Sequence, residues 1–181
     1  KYAMQAQIDV AYAYCKFDEP DSAITALDRF IKLHPRHPAV DYAYYLKGLV
    51  NFERGGTILD VIVTRDLSEF DRNLLLRAYN DFKLLTQRFP SSEYATDARK
   101  RMIFLRNELA RSDFKIANYY ASREAWVAVT GRTRFILLNY EGTDVIKRTL
   151  ELQLKAYQKL GLEQLASDTQ RIIPLNFDKP S

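Results

Sequence analysis

Cys15 is the single thiol in this chain, so an internal disulfide is excluded. It lies among Ala and Tyr at helical spacing, where a small buried apolar role suits it better than reactivity. Six glycines and six prolines are too few for an all-β fold built on tight turns. No charge of one sign dominates. The 27 basic and 23 acidic residues leave +4, too mild a balance to demand nucleic acid. No apolar run approaches the ~18 residues of a membrane-spanning helix, and no signal peptide opens the chain. The first residues, Lys1-Tyr2-Ala3-Met4, already follow a helical pattern, so the sequence reads as a fragment of a longer protein, truncated at its N-terminus.

Signatures of chemistry are equally sparse. There is no HExxH, no GxSxG, no phosphate-loop glycine run and no dinucleotide fingerprint. Gly55-Gly56 lacks both a preceding strand and a following Lys-Ser/Thr. His34 and His37 sit three apart, but prolines flank them and no further ligands stand close by. They read as turn histidines and not as a zinc site. Carboxylate pairs such as Asp18-Glu19 fall at turns, where they favour helix starts. The sequence therefore points to no catalytic, metal-binding or cofactor-binding residue, and the chain reads as a non-enzyme.

What is present is a recurring spacing. Tyr14 precedes Ala23 by nine residues, and Ala23 precedes Pro35 by twelve. Ala78 precedes Pro90 by twelve, Tyr120 precedes Val129 by nine, and Tyr157 precedes Ala166 by nine. A Tyr late in one helix, a small residue early in the next and a Pro at the exit form the skeleton of the tetratricopeptide repeat. The expected fold is all-α: a right-handed α-solenoid of about eight helices in tetratricopeptide-type hairpins, forming one domain over 1–181. Such stacks expose surfaces that bind other proteins.

The repeats are placed at about 4–37, 41–90, 93–141 and 144–174, followed by a tail, 175–181, expected to fray. Pro20 suits the start of the second helix. Ala23, Leu27, Phe30 and Ile31 form that helix's apolar stripe. In the second repeat Gly48 takes a small position and Asn51 stands where Tyr is usual. The distance from Asn51 to Ala78 is 27 residues in place of nine, an insertion of 18. The inserted loop, 55–71, is apolar and β-branched at its start, and either packs on the repeats or meets a partner.

From 93 to 122 there is neither Pro nor Gly, which predicts one extra-long helix or, alternatively, a break near Ser112-Asp113. Glu141 occupies the third repeat's proline position, with Gly142 available for the turn. Pro174 is expected to stop the last helix. The basic excess from Lys83 to Lys115, centred on Arg99-Lys100-Arg101, reads as a solvated helix face or as a surface for an acidic partner or phospholipid.

In this repeat type the first helix of each pair lines the concave face. That face would carry Gln5, Ile8, Tyr12, Tyr42, Tyr45, Leu49 and Phe52, aromatic and almost uncharged. It suits peptides with aromatic anchors, or else its residues pack against neighbouring helices or the inserted loop.

Several stretches together are similar to a known family. Ile8-Asp9-Val10-Ala11-Tyr12-Ala13-Tyr14, the run from Ala26 through His34-Pro35, and His37-Pro38 with Asp41-Tyr42 resemble the BamD/ComL outer-membrane assembly lipoproteins. So do Thr96-Asp97-Ala98, Lys100-Arg101 and Ala117-Asn118-Tyr119-Tyr120. Arg123-Glu124-Ala125-Trp126-Val127-Ala128-Val129 resembles that family's most distinctive segment. The resemblance implies a periplasmic lipoprotein held at the outer membrane by an N-terminal lipidated Cys, which Cys15 does not match. It implies membership of the β-barrel assembly (BAM) complex and docking on the POTRA domains of a BamA-like barrel subunit. It further implies contacts with other BAM lipoproteins and reception of unfolded outer-membrane proteins.

Carried onto this chain, the resemblance puts Arg132 at the dock as an ion-pair donor, with Arg134, Asn139 and Tyr140 beside it. The client-peptide groove would be Tyr12, Tyr42, Tyr45 and Phe52. Another periplasmic repeat adaptor, in envelope biogenesis or cell constriction, is the alternative, and Trp126 with its flanks argues against it.

Overall fold

A computed structural model describes residues 2–54 and 72–177, with side chains from Ala6 onward. The inserted stretch 55–71, the Gln5 side chain and residues 178–181 lie outside the described residues. Among the described residues there are eight helices and no strand. In chain order they are α1 (Tyr2–Lys16), α2 (Pro20–Leu33), α3 (Val40–Arg54), α4 (Arg72–Arg88), α5 (Ala95–Ser122), α6 (Trp126–Asn139), α7 (Ile146–Lys159) and α8 (Glu163–Phe177). They form two compact units, residues 1–105 and 106–181, with α5 contributing to each. Within each unit, helices adjacent in sequence pack together: α1 with α2, α2 with α3 and α3 with α4, then α6 with α7 and α7 with α8.

The nine-and-twelve spacing has a direct physical content. Its small residues sit where helices cross most closely. Ala23, Ala78 and Val129 are wholly buried, and Ala166 nearly so. Gly48 belongs to the same set. A Cβ there would lie 2.6 Å from the ring of the buried Phe82, so α3 and α4 can meet only without one. Around the first crossings Ile8, Ala11, Leu27, Phe30, Ala43 and Leu46 form one apolar cluster. Each large side chain in it contributes about 1.5–3 kcal/mol by leaving water.

The tyrosines of the pattern act through their backbone. At each described turn inside a hairpin, one residue takes a left-handed conformation: Asp18 at φ 58°, Glu124 at φ 56° and Gly161 at φ 69°. The next residue's N–H then returns to a carbonyl five positions back. Glu19 donates to Tyr14 at 2.9 Å, Ala125 to Tyr120 at 3.0 Å, and Leu162 to Tyr157 at 2.9 Å. This is the closing bond of a Schellman motif, made three times on the tyrosines that mark the repeat.

Turns between hairpins also share one pattern. His34, Phe89 and Tyr140 donate their N–H groups to Phe30, Leu85 and Ile136 at 2.8–2.9 Å. Three residues on, His37, Ser92 and Thr143 donate back to His34, Phe89 and Tyr140. Pro35 and Pro90 are the second residues of the first two turns, and Glu141 is the second residue of the third. The third turn makes the same bonds with Gly142 at a φ of 75°. The two histidines flank Phe30, their ring centroids 5.3 Å from its own, and His37 Nδ1 accepts from the Ala39 N–H at 3.2 Å. Among the described residues no group of His, Cys, Asp or Glu could hold a metal.

Two expectations are settled by the helix bounds. α5 runs unbroken through Ser112-Asp113 for 28 residues. Pro174, expected to end the last helix, lies inside α8, which continues to Phe177. A proline in the final turn removes one donor where few further backbone bonds remain to be made.

Candidate functional site

In the unit of residues 1–105, α3 and the start of α5 bring an aromatic strip together. Tyr45 stacks on Tyr94, with ring centroids 4.9 Å apart and planes at 19°. Tyr42 meets the same Tyr94 ring at 5.4 Å. Tyr45 also lies 6.1 Å from Phe82, which contacts Phe52, which in turn meets Phe104 edge-on at 5.9 Å. Offset and edge-to-face pairs of this kind add about 0.5–1.5 kcal/mol each beyond area burial.

The four groove residues named from the sequence fall into two classes. Tyr12 is 44% exposed, with the Lys16 ammonium over its ring at 5.3 Å. Tyr42 and Tyr45 are half-buried and reachable. Phe52 is buried at 4% exposure, under the Arg101 guanidinium at 5.1 Å. It forms the floor of the strip and not its surface. Tyr94, Asp97, Arg101 and Phe104 complete the arrangement and were missed. Tyr94 sits in the turn before α5, outside any count of helix faces. The other three lie on the early turns of α5.

Electrostatics hold the strip in place. Asp97 accepts from the Tyr45 hydroxyl at 2.6 Å and from Arg101 Nε at 2.5 Å. Burial pushes the Asp97 carboxyl up, but these two hydrogen bonds and the charges of Arg101 and Lys100 outweigh it and hold it below its ordinary value. The Tyr45 phenol is pushed up, first by burial and then by its bond to Asp97. Tyr42 is likewise raised by burial, then by Tyr12, Cys15 and Asp9 nearby.

In the unit of residues 106–181, the four dock residues also divide. Arg132 donates to Asp113 at 3.0 Å, and Asp113 is wholly buried. The Tyr140 hydroxyl donates to the other oxygen of Asp113 at 2.9 Å, and Tyr140 is 6% exposed. These two residues therefore tie α6 to α5. Arg132 keeps about a third of its side chain exposed and lies over Phe135, 5.9 Å from the ring centroid. Arg134 and Asn139 are exposed, the latter donating to the Phe135 carbonyl at 2.8 Å.

α6 is apolar on two sides. Val129, Thr133 and Ile136 face inward and are wholly buried. Val127 and Leu138, 73% and 72% exposed, share an outward face with Gly131 and Arg134. A Cβ added at Gly131 would meet nothing within 4 Å. A second apolar face, opposite the buried one, is one that a partner can cover. Beneath it, Arg111 pairs with the buried Glu108 and with Asp144, and Arg106 donates to the Glu141 carbonyl, so the turn after α6 is clamped to α5. Trp126 opens α6 with the Lys155 ammonium 5.7 Å from its ring.

The family model described as "Outer membrane lipoprotein" (YfiO) matches residues 1–172. The chain is similar to the outer membrane protein assembly factor BamD of Neisseria meningitidis, 43% identical over 179 residues, which cover 99% of this chain and 67% of the relative. It is 37% identical to the protein of that name from Vibrio cholerae over 97% of this chain and 73% of the relative. It is 38% identical to the one from Xylella fastidiosa, over 97% and 60%. Tetratricopeptide-type hairpins, a two-sided α6 opened by Trp126, and relatives aligned across nearly the whole sequence converge: the chain belongs to the YfiO family of outer membrane lipoproteins, that of the BamD assembly factors.

Proposed function

We propose that the chain is a non-enzymatic scaffold of the outer-membrane β-barrel assembly machine, working on the periplasmic side of that membrane. It docks on the POTRA region of a BamA-like barrel subunit through α6 and receives unfolded outer-membrane proteins on its aromatic strip. The observation that carries the dock is the outward apolar face of α6, with Val127 and Leu138 exposed on a helix already buried on its other side. Gly131 lets a partner backbone approach closely there. Arg134 and Asn139 supply a polar rim. Arg132 contributes twice, as the anchor of α6 on Asp113 and, through its exposed third, as a donor to the partner. Tyr140 acts from below by fixing the end of α6.

Aromatic-rich client segments fit the strip of Tyr42, Tyr45 and Tyr94, with Tyr12 exposed on the same unit and Phe52 as floor. Rigid aromatic anchors bury large area at low entropic cost. The test is a titration of the chain against a purified POTRA region. Leu138→Asp and Arg134→Glu are expected to weaken binding about tenfold or more, as interface-centre changes do, with thermal stability unchanged. Unaltered affinity in both variants overturns the α6 dock.

A further inference from the structure

We infer that a cavity at the end of the aromatic strip receives a lysine or arginine side chain of an extended polypeptide bound along that strip. The inference rests on the proposed client groove and names what the groove reads besides aromatic residues.

The cavity is about 240 Å³ and is lined by Pro38, Ala39, Asp41, Tyr42, Glu93 and Tyr94. Sites for whole small molecules measure about 300–1,000 Å³, so this one has room for a single side chain. Two of its lining residues are aromatic, Tyr42 and Tyr94, with ring centroids 5.4 Å apart and planes at 47°. Two more are carboxylates. Asp41 is held by neutral donors, accepting from its neighbour's N–H, on Tyr42, at 2.8 Å and from the Ser92 hydroxyl at 2.7 Å. Neither Asp41 nor Glu93 forms an ion pair with any cation of the described residues. Both carboxylates also bear on Tyr94, whose phenol is raised by burial, then by its hydrogen bond to Glu93 and by the charges of Glu93 and Asp41.

Elsewhere in the same unit the chain supplies its own cations to such surfaces. Lys16 covers Tyr12, and Arg101, paired with Asp97, covers Phe52. The Tyr42/Tyr94 cavity has the rings and the negative charge, and no described residue supplies its cation. An ammonium or guanidinium over a tyrosine face is attracted by the ring quadrupole, more strongly when partly desolvated. Continuity argues for a peptide as its carrier. Tyr94 belongs both to the cavity and, through its stack with Tyr45, to the strip. Alternate side chains of an extended chain point the same way, about 6.6–6.8 Å apart. A basic residue in the cavity therefore sets the residue two positions along near Tyr45, where an aromatic anchor fits.

The experiment is a fluorescence-polarisation titration of the whole chain with labelled extended peptides. One carries Arg two positions before Phe. A second replaces Arg by citrulline, which keeps the shape and loses the charge. A third keeps Arg and replaces Phe by Ala. The Arg–Phe peptide is expected to bind about tenfold tighter than the citrulline peptide, within the range of a partly desolvated cation on rings and carboxylates. Glu93→Gln with Asp41→Asn, and separately Tyr94→Leu, should abolish that preference, while Tyr94→Phe keeps it. Equal binding of the Arg and citrulline peptides, unchanged in the variants, overturns the cation site and leaves the client groove standing. An Arg preference that persists without Phe supports the cavity and removes the aromatic-client reading. Failure of every peptide to bind removes both. Phosphatidylethanolamine vesicles are run alongside. Capture of vesicles lost in Glu93→Gln, with no peptide binding, assigns the cavity to a lipid ammonium and overturns the peptide.

Discussion

Each of the two units buries an aspartate, and the two are treated differently. In residues 1–105, Asp81 on α4 is met by Lys47 and Asn51 of α3, and Lys47 also reaches Asp28 on α2 at 2.8 Å. Three helices share one loosely divided network, in which Asn51 Oδ1 has no partner. In residues 106–181, Asp113 is wholly buried and both its oxygens are engaged, one by Arg132 and one by Tyr140. The first arrangement spreads its charge over several side chains. The second concentrates the attachment of α6 on one carboxylate. The lesson concerns function: Arg132, the residue that the family resemblance assigns to a partner, also secures the helix that carries the proposed dock.

The comparison breaks most sharply at Arg132. Arg132→Glu would place a second carboxylate beside the buried Asp113 and remove the guanidinium that pairs with it. Removing one member of a buried pair costs about 3–5 kcal/mol, and a charge reversal is no milder. The expected result is a large fall in the urea midpoint with loss of the α6–α8 signal, whereas Lys47→Ala, whose loss Asn51 partly covers, falls by less. Equal effects at the two sites would erase the distinction between them. A loss of POTRA binding in Arg132→Glu is therefore no measure of an interfacial ion pair, which is why Leu138 and Arg134 test the dock.

A second contrast lies in the glycines. Gly48 and Gly131 both sit inside helices, one in each unit, and only Gly48 takes a small position of the repeat. Gly48→Ala is expected to cost about 1–3 kcal/mol, because overpacking forces a shift and the Phe82 ring at 2.6 Å is fully enclosed. Gly131→Ala meets open space and should stabilise by up to about 1 kcal/mol through helix propensity. Thermal melts of the two variants check both signs. If Gly131→Ala also weakens POTRA binding, close approach of a partner at that point is supported.

The legible part of this fold was whatever repeats. Ala23, Ala78, Val129 and Ala166 are small because helices cross there, and spacing alone locates them. The tyrosines at 14, 120 and 157 mark hairpin turns because the same backbone bond closes each one. The aromatic strip was legible where it follows a helix face, as at Tyr42 and Tyr45. It was illegible where it does not repeat. Tyr94 enters from a turn. Asp113 joins Arg132 and Tyr140 across 19 and 27 residues, separations set by the long α5 and by no period. Phe52 looked like surface because it shares a face with Tyr45, but Arg101 covers it.

The smallest effect expected is one of pH, and it separates two aspartates within residues 1–105. Burial raises Asp81, against the pull of Lys47 and Asn51, so any stability linked to its proton is lost as pH rises through its folded pKa. Asp97 has the opposite sign. Its folded pKa lies below the ordinary carboxylate value despite burial, owing to Tyr45 and Arg101. The stability it adds is present above that ordinary value and is lost as pH falls through the folded one. Tyr45→Phe keeps the stack on Tyr94 and deletes the hydroxyl that donates to Asp97. A neutral-pH loss of at most about 1 kcal/mol is expected, reduced because the Asp97 side chain is nearly half exposed. The loss should shrink in acid, once Asp97 is protonated in both proteins. Melting temperatures of wild type and Tyr45→Phe between neutral and strongly acidic pH decide it. A gap that stays constant with pH would mean that the hydroxyl acts independently of the Asp97 charge, and no gap at any pH would mean that Tyr45 acts through its ring alone. In that case Asp97 would no longer help hold the strip, and Arg101, over Phe52 on its other side, would be left as the group that orders it.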